Sequence, residues 1–295
     1  MAFAIVRVLR PKQWAKNLLV FAAPMFTGSF SQSPLLTTLA AFWIFSLASS
    51  ATYIFNDIYD RERDQKHPRK KNRPIAAGEI SPGVAGALGV ILALGALAAA
   101  YALEPAFAGL IGAYFALQLA YNAGVKHVPI ADVFVISIGF VLRAVAGALV
   151  IHVAISAWLL FCTAALALML GFSKRRDEFL RSESEDFAGR ESIQSYSKPI
   201  LDMLVGCFAA AAIVSYGIYS INSATAIAHP GLIVTTLFVW YGCARYLYLV
   251  FAENKGEEPE TILMKDVHIH IALFGFAVTA ALAVTNQLPM SVISR

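Results

Sequence analysis

Residues 36–64 read LTTLAAFWIFSLASSATYIFNDIYDRERD, an oily run that ends abruptly in acids. Leu36–Phe55 matches the ~20 apolar residues that an α-helix needs to cross a bilayer. The stretch that follows, Asn56-Asp57-Ile58-Tyr59-Asp60-Arg61-Glu62-Arg63-Asp64, has the form N-D-x-x-D-x-x-x-D. If the helix continues through it, Asp57, Asp60 and Asp64 fall at i, i+3 and i+7 and share one face. Three carboxylates on one face repel one another. A divalent cation between them removes the repulsion, and hard carboxylate oxygens suit Mg2+. Mg2+ held by so few protein groups keeps phosphate oxygens among its ligands. The stretch therefore predicts a membrane enzyme that handles a diphosphate.

The rest of the chain repeats the oily half of this pattern. It is 58% hydrophobic and 14% charged, with a mean hydropathy of +0.65, the composition of an integral membrane protein. Runs of near-spanning length are Asn17–Phe30, Leu36–Phe55, Gly83–Leu103, Ala106–Tyr121, Pro129–His152, Ala154–Phe172, Pro199–Ile221, Pro230–Ala252 and Val267–Val284. They predict an all-α, polytopic bundle of about nine transmembrane helices. The short alternating strands of a β-barrel are absent from the sequence. With the N-terminus in the cytoplasm, the inner segments hold Arg7, Arg10, Lys12 and Lys16, then residues 61–73, Lys126, residues 174–198, Lys255 and Lys265. The outer loops near Ser31, Glu104, Ala154 and His229 hold no Lys or Arg. This asymmetry places the N-terminus inside a plasma (inner) membrane of the bacterial type, and the C-terminus with Arg295 outside. The net charge of +4 is thus a topology signal and gives no ground for a nucleic-acid partner. A basic stretch before a short apolar run has the outline of a signal peptide, but Pro24 interrupts the run and no small-x-small cleavage site follows, so a retained first helix is expected. Cys162, Cys207 and Cys243 all lie in apolar segments, with neither a disulfide framework nor a zinc spacing.

One membrane domain, residues 1–295, is expected. It comprises an interfacial segment (1–16), two long cytoplasmic loops (59–82 and 173–198), two shorter ones (122–128 and 253–266) and short external loops. Polar residues concentrate on the cytoplasmic side, so the active site should open there. The long loops follow the second and sixth helices, a spacing that hints at two similar halves without a residue-level repeat.

Several constellations carry the candidate chemistry. Seven basic residues lie between Arg61 and Arg73. They satisfy the positive-inside rule, and directly after an acidic motif they also suit a polyphosphate. Lys70 and Arg73 are the strongest candidates, Lys as a point charge and Arg as a bidentate donor. In Arg10-Pro11-Lys12-Gln13-Trp14-Ala15-Lys16-Asn17 the Trp and Lys suit an interfacial anchor, while Lys16 and Asn17 are candidates to reach the phosphates. Tyr121 and Lys126 mark the end of the fourth helix. Asp132 and Arg143 follow on the fifth, Arg143 roughly 16 Å deeper. A charge at that depth needs a polar cavity, a ligand or a buried acid. Asp132 is a candidate for that acid or for a metal ligand. After the sixth helix, Lys174, Arg175, Asp177 and Glu178 read either as local ion pairs or as a second cationic and acidic half-site facing the first motif. Glu260 and Asp266 read as solvated charge, and His268 and His270 at i, i+2 point apart on a helix. Gly139, Gly147 and Gly171 lie within predicted helices, where glycine allows close packing. No Ser-His-Asp, P-loop or dinucleotide fingerprint is present.

Together the N-D-x-x-D-x-x-x-D motif, the H-P-x-K-x-x-R-P-I-A-x-G run from His67 to Gly78, the Tyr121…Lys126 element and the helix count resemble the UbiA superfamily of intramembrane prenyltransferases. The resemblance covers nearly the whole chain. It implies a helical bundle around a central cavity open to the cytoplasm, in which two Asp-rich motifs hold a diphosphate through Mg2+. The chain departs from the common pattern after the sixth helix. Aromatic prenyltransferases of the family carry a D-x-x-x-D motif there, and this chain has Lys174-Arg175-Arg176-Asp177-Glu178, with Asp186 further on. The opening Arg10 to Asn17, the Lys126-His127-Val128-Pro129…Asp132 stretch, Gly139 to Ala144 and Ser173-Lys174-Arg175 are similar instead to the decaprenyl-phosphate phosphoribosyltransferase branch. That branch implies 5-phosphoribosyl-1-diphosphate as donor, a polyprenyl phosphate in the bilayer as acceptor, and a place in making lipid-linked arabinose for cell-envelope glycans. On this reading Asp57, Asp60 and Asp64 hold Mg2+ (Mn2+ as the alternative), and Asn56 is a ligand or orienter. Lys16, Asn17, Lys70, Arg73, Tyr121, Lys126, Arg143, Lys174 and Arg175 serve the phosphates, and Asp132, Asp177 and Glu178 form a second acidic site. A homo-oligomer is compatible with it. The competing readings are a prenyltransferase acting on an aromatic or other small acceptor, and a transporter or lipid-phosphate binder without chemistry.

Overall fold

The computed structural model describes residues 2–29, 31–68, 70–184, 191–254, 262 and 265–288. Among these there are helices and no strands. In chain order they are α1 (Ala2–Val8), a 3-10 segment (Pro11–Phe21), α2 (Ala22–Thr27), α3 (Gln32–Tyr59), α4 (Arg61–Lys66), a 3-10 turn (Lys70–Asn72), α5 (Pro82–Leu103) and α6 (Pro105–Ala123). A 3-10 turn (Val125–His127), α7 (Ala131–Val150), α8 (Ala157–Ser184), α9 (Glu191–Gln194), α10 (Lys198–Asn222) and α11 (Ala224–Ala228) come next. A 3-10 segment (Pro230–Val234), α12 (Thr235–Phe251) and α13 (Val267–Val284) follow. Among the described residues, eight helices are long and apolar enough to cross a membrane: α3, α5, α6, α7, α8, α10, α12 with its 3-10 lead-in, and α13. The protein is a multi-pass, all-helical membrane protein.

Helix ends follow local chemistry. Pro82 and Pro105 occupy first-turn positions, where the missing N–H costs nothing. Ser81 and Glu104 accept from the first free N–H groups of α5 and α6, and Asp266 accepts from Ile269 N–H at 3.0 Å to cap α13, as capping side chains do. Asp266 is therefore not mere solvated charge. The Arg245 guanidinium, 2.8 Å away, holds its carboxyl down at about 2. Glu260 lies outside the described residues.

Two expectations change. The first expected span, Asn17–Phe30, holds the last five residues of an eleven-residue 3-10 segment and then the short α2. Runs of 3-10 helix beyond three or four residues are uncommon and need outside support. Here the support is a period of three: Trp14, Asn17 and Val20 line one edge of the segment, and Asn17 and Val20 are buried. At about 2.0 Å per residue the segment reaches about 22 Å, where an α-helix would reach about 16 Å. The expected loops also carry structure, since α8 runs on to Ser184, well into the loop expected at 173–198, and α4 occupies part of 59–82.

The chain forms two compact units. The first comprises Met1–Pro24, Phe30–Gly124 and Leu142–Val153. Its core is Val20, Phe45, Phe107, Ile111, Tyr114 and small residues such as Ala41, Ala48, Ala96 and Ala146. The second comprises Met25–Ser29, Val125–Val141 and Ala154–Arg295. Its core includes Val133, Phe172, Leu201, Val205, Tyr246 and Leu249, with the Phe172 and Phe208 rings stacked at 5.5 Å. Arg176, buried, ties α8 to α10 and to the end of α12 through Asp202 (2.6 Å), the Val250 carbonyl (2.9 Å) and the Phe251 ring (4.9 Å).

Gly147 shows how close the packing is in the first unit. A Cβ built there would lie 1.9 Å from the Val20 carbonyl oxygen, so only glycine lets α7 meet the 3-10 segment backbone. Replacing Gly147 with alanine should lower the thermal midpoint of the detergent-solubilised protein by several degrees, in line with the roughly 1–3 kcal/mol of overpacking. Gly95→Ala, where a Cβ meets nothing within 4 Å, should not. Equal melting of both variants would contradict the close approach.

Candidate active site

The acidic motif is not one helix face. α3 stops at Asp60, whose backbone (φ −89°, ψ 7°) ends the regular helix before α4 begins at Arg61. Asp57 and Asp64 are nevertheless brought together, by a cation rather than by helical periodicity. Arg73 Nη1 donates to Asp57 Oδ1 at 3.0 Å and to Asp64 Oδ2 at 2.5 Å. Both acids are buried, Asp57 at 2% exposure and Asp64 at 3%. Among the described residues no three His, Cys, Asp or Glu side chains are gathered closely enough to hold a metal ion; Asp57 and Asp64 share Arg73, and Asp60 sits in the cap between α3 and α4.

A second guanidinium reaches the same oxygen. Arg10 Nη2 donates to Asp57 Oδ1. Its backbone is left-handed (φ 53°, ψ 58°), an uncommon conformation for a residue with a Cβ, and its guanidinium lies 5.1 Å from the centroid of Tyr53, one turn before Asp57 on α3. Burial lowers the Arg10 pKa, the Asp57 charge opposes that, and Arg73 adds to it. Sequence reasoning did not single out Arg10. The available signal was its position as the first cation of the Arg10–Asn17 stretch.

The loop that carries Arg73 is folded, not merely solvated. Ile75 and Ile80 are buried with Ala4 and Val8 of α1, Ile54 of α3 and Ala85 of α5. Arg7 spans α1 and the loop, binding Glu79 at 2.8 Å and the Asn72 carbonyl at 2.5 Å. Ala77 N–H returns to the Arg73 carbonyl at 2.8 Å, and Gly78 takes φ +75°, which glycine adopts without strain. The apolar anchors and the turn fix where Arg73 points.

Arg143, on α7, is buried and packs beside the middle of α3. Its Nε donates to Asn17 Oδ1 at 2.8 Å and its Nη2 to Tyr114 OH at 3.3 Å, and its guanidinium lies 4.9 Å from the Phe45 ring and 5.2 Å from the Tyr114 ring. Asn17 Nδ2 donates to Ser46 and Ser49 Oγ at 3.0 and 3.2 Å, and Trp14 Nε1 to Ser50 Oγ at 3.0 Å. Asn17 and Arg143, two expected phosphate ligands, thus bind each other and fasten the 3-10 segment to α3 and α7.

In the second unit Arg175, buried, bridges Asp132 (2.7 Å) and Glu178 (2.5 Å). Asp177 pairs instead with Arg181 at 2.9 Å. Tyr196 OH accepts from Ile130 N–H at 2.5 Å, holding that β-branched residue at φ 70°. Lys126 is buried. Lys174 is exposed, and Lys16, Asn56, Lys70 and Tyr121 are half-buried. The structure therefore gathers Asp57, Asp64, Arg73 and the unanticipated Arg10 in the first unit, and Asp132, Arg175, Glu178 and Tyr196 in the second. Asp186 and Arg69 lie outside the described residues.

The fold and motifs are those of a membrane-embedded helical protein with a charged site at a helix end. The UbiA prenyltransferase family matches residues 17–265, and the chain belongs to that family. It is 32% identical over 286 residues to a decaprenyl-phosphate phosphoribosyltransferase of Mycobacterium tuberculosis, covering 95% of this chain and 94% of that one. It is 37% identical over 227 residues to the enzyme of the same name from Corynebacterium glutamicum, covering 75% and 68%. Among solved structures, a UbiA homolog from Archaeoglobus fulgidus bound to DMAPP and Mg2+ superposes with a TM-score of 0.72 at 18% identity, covering 95% of this chain and 98% of that one. That likeness extends to the fold.

Arg143→Met should lower the thermal midpoint by an amount equivalent to roughly 1–3 kcal/mol, because it strips a donor from buried Asn17 and Tyr114 oxygens. Arg143→Lys, without the planar fork, should recover only part of the loss. A midpoint unchanged in the methionine variant would contradict the network.

Proposed function

We propose that the protein transfers 5-phosphoribose from 5-phosphoribosyl-1-diphosphate to a membrane polyprenyl phosphate of the decaprenyl type, releasing diphosphate with inversion at ribose C1. The observation that carries this reading is the near-full-length likeness to enzymes of that name, and the site geometry supplies what the chemistry needs. The acceptor is placed in the bilayer, and the donor reaches the site from the cytoplasm, where the N-terminus also lies. The C-terminus lies outside.

The residues present fit a divalent cation. One guanidinium nitrogen of Arg73 already sits between the oxygens of Asp57 and Asp64, so a cationic centre occupies the place between two hard carboxylates, and Arg10 brings a second charge to Asp57. Mg2+ characteristically takes one or two carboxylates plus substrate phosphates. Asp57 and Asp64 are the residues that would hold it, with Asn56 and Asp60 at the same helix end, and Mn2+ suits the same donors. When bound, the ion neutralises charge on the departing diphosphate. Arg73 offers a bidentate fork to phosphate oxygens, and Lys16 and Lys70 add point charges. Lys126, Lys174 and Arg175 are the phosphate-binding candidates of the second unit, with Tyr121 as a hydroxyl donor in the first. Asp132 and Glu178 hold Arg175 in place there, and Asp177 holds Arg181.

The acceptor oxygen is already anionic and needs no strong general base. It forms the new bond to C1 from the face opposite the diphosphate. The C1–O bond to diphosphate breaks with its electron pair leaving on that oxygen, through an oxocarbenium-like C1. Asn17 and Arg143 contribute by holding the segment that carries Lys16.

Purified protein with radiolabelled phosphoribosyl diphosphate, Mg2+ and a polyprenyl phosphate should yield a labelled, butanol-extractable lipid that disappears with EDTA. Asp57→Asn with Asp60→Asn should cut turnover by about 100-fold or more while leaving a folded, monodisperse protein in detergent. Turnover of a prenyl diphosphate with an aromatic acceptor, and no labelled lipid, would replace the phosphoribosyl reading. Full turnover in the double variant would remove the metal assignment.

A further inference from the structure

We infer that Arg10 is a binding residue of this same site, and that Arg10 and Arg73 together make the divalent metal and the diphosphate bind as a pair rather than separately. The inference rests on the diphosphate reading above and extends it to residues of the N-terminal segment. Four charged groups meet at one place: Asp57 accepts from Arg10 and Arg73, and Asp64 accepts from Arg73. Their formal charges cancel. The acids are enclosed, with side-chain exposures of 2% and 4%, whereas Arg10 and Arg73 keep 21% and 26%. An anion arriving from solution meets the guanidiniums first, and the carboxylates lie behind them.

Consider each ligand alone. A divalent cation has to take Asp57 and Asp64 from guanidiniums that already satisfy them, leaving two buried or half-buried cations beside a third positive centre. Charges stripped of partners in such surroundings are costly. A diphosphate alone has to draw the guanidiniums away from carboxylates that would then stay buried and unpaired. When both arrive, every charge changes partner without losing one: the carboxylates pass to the metal and the guanidiniums to phosphate oxygens. Each ligand removes the obstacle to the other, which is a positive coupling, and by linkage it is equal in both directions.

Arg10 is built for this exchange. Its left-handed backbone is the kind of strained conformation that persists only where its surroundings enforce it. The enforcement is visible: Ser50 Oγ donates to the Leu9 carbonyl at 2.8 Å and accepts from Trp14, so the residues on either side of Arg10 are fastened to α3. The Tyr53 ring gives the guanidinium a cation–π platform that remains when the carboxylate lets go. Lysine offers neither the planar fork nor the same stacking.

The test is equilibrium dialysis of the full-length protein in detergent, stripped with EDTA, using 54Mn2+ and 32P-labelled inorganic diphosphate. Both labels are counted on the protein side, with correction for the manganese–diphosphate complex free in the dialysate. In the native protein, saturating diphosphate should tighten Mn2+ binding about 30-fold, and Mn2+ should tighten diphosphate binding by the same factor. Arg10→Gln and Arg73→Gln should each reduce that coupling to under about 3-fold, with Arg73→Gln binding Mn2+ alone more tightly than the native protein does. Arg10→Lys should restore only part of it. Mn2+ that binds the native protein equally well with and without diphosphate, or full coupling retained in Arg10→Gln, would overturn the exchange while leaving the metal site standing. No protein-bound Mn2+ under any condition would overturn the metal reading and the exchange with it.

Discussion

The charged end of the first unit is organised by one buried carboxylate, that of Asp57. A carboxylate enclosed at a helix end is unfavourable unless donors meet it, and here both donors come from elsewhere in the chain, Arg10 from 47 residues upstream and Arg73 from 16 residues downstream. Each donor demands its own scaffold. Arg73 is held by a loop whose buried Ile75 and Ile80 dock against α1, α3 and α5. Arg10 is held by a 3-10 segment stitched to α3 through Trp14 and Asn17. A stretch that looks like a basic interfacial anchor is thus part of the site, because a buried acid requires it there.

Arg143 meets the second constraint of the same unit, a guanidinium within an apolar helix. Its cost is offset by amide and phenol oxygens and by two aromatic faces, which meet its fixed donors and its charge. The result is mechanical. Arg143 holds Asn17, and Gly147 one turn later lets the helix backbone touch Val20. Two residues on one face of α7 thereby fix the segment that delivers Arg10.

Much of this was legible in the sequence. Eight spans, the resemblance to UbiA proteins, and the close-packing role of Gly147 and Gly171 follow from hydropathy, motif spacing and the absence of a Cβ. What failed depended on long-range contact. Extending a helix through Asp60 put three acids on one face, because periodicity carries no information about where a helix stops. The 3-10 segment straddles the boundary expected between the interfacial stretch (1–16) and the first span, because its apolar end looks like a membrane helix and its period of three answers to Ser46, Ser49 and Ser50 on a partner helix. Arg10 went unselected because a cation beside Trp14 and Lys16 reads equally well as an interfacial anchor. The partners of Asp132 and Asp177 were not assignable, since four cations lie within reach along the sequence and only the fold chooses among them.

On this reading Asp57 and Asp64 form the metal–diphosphate end of a transferase site. A structure of the protein with Mn2+ and inorganic diphosphate, phased to show anomalous scattering at the manganese edge, tests it most directly. An anomalous peak is expected between the Asp57 and Asp64 carboxylates, with Arg10 and Arg73 turned onto phosphate oxygens. A peak elsewhere, with Arg73 still bridging the two acids, would contradict it.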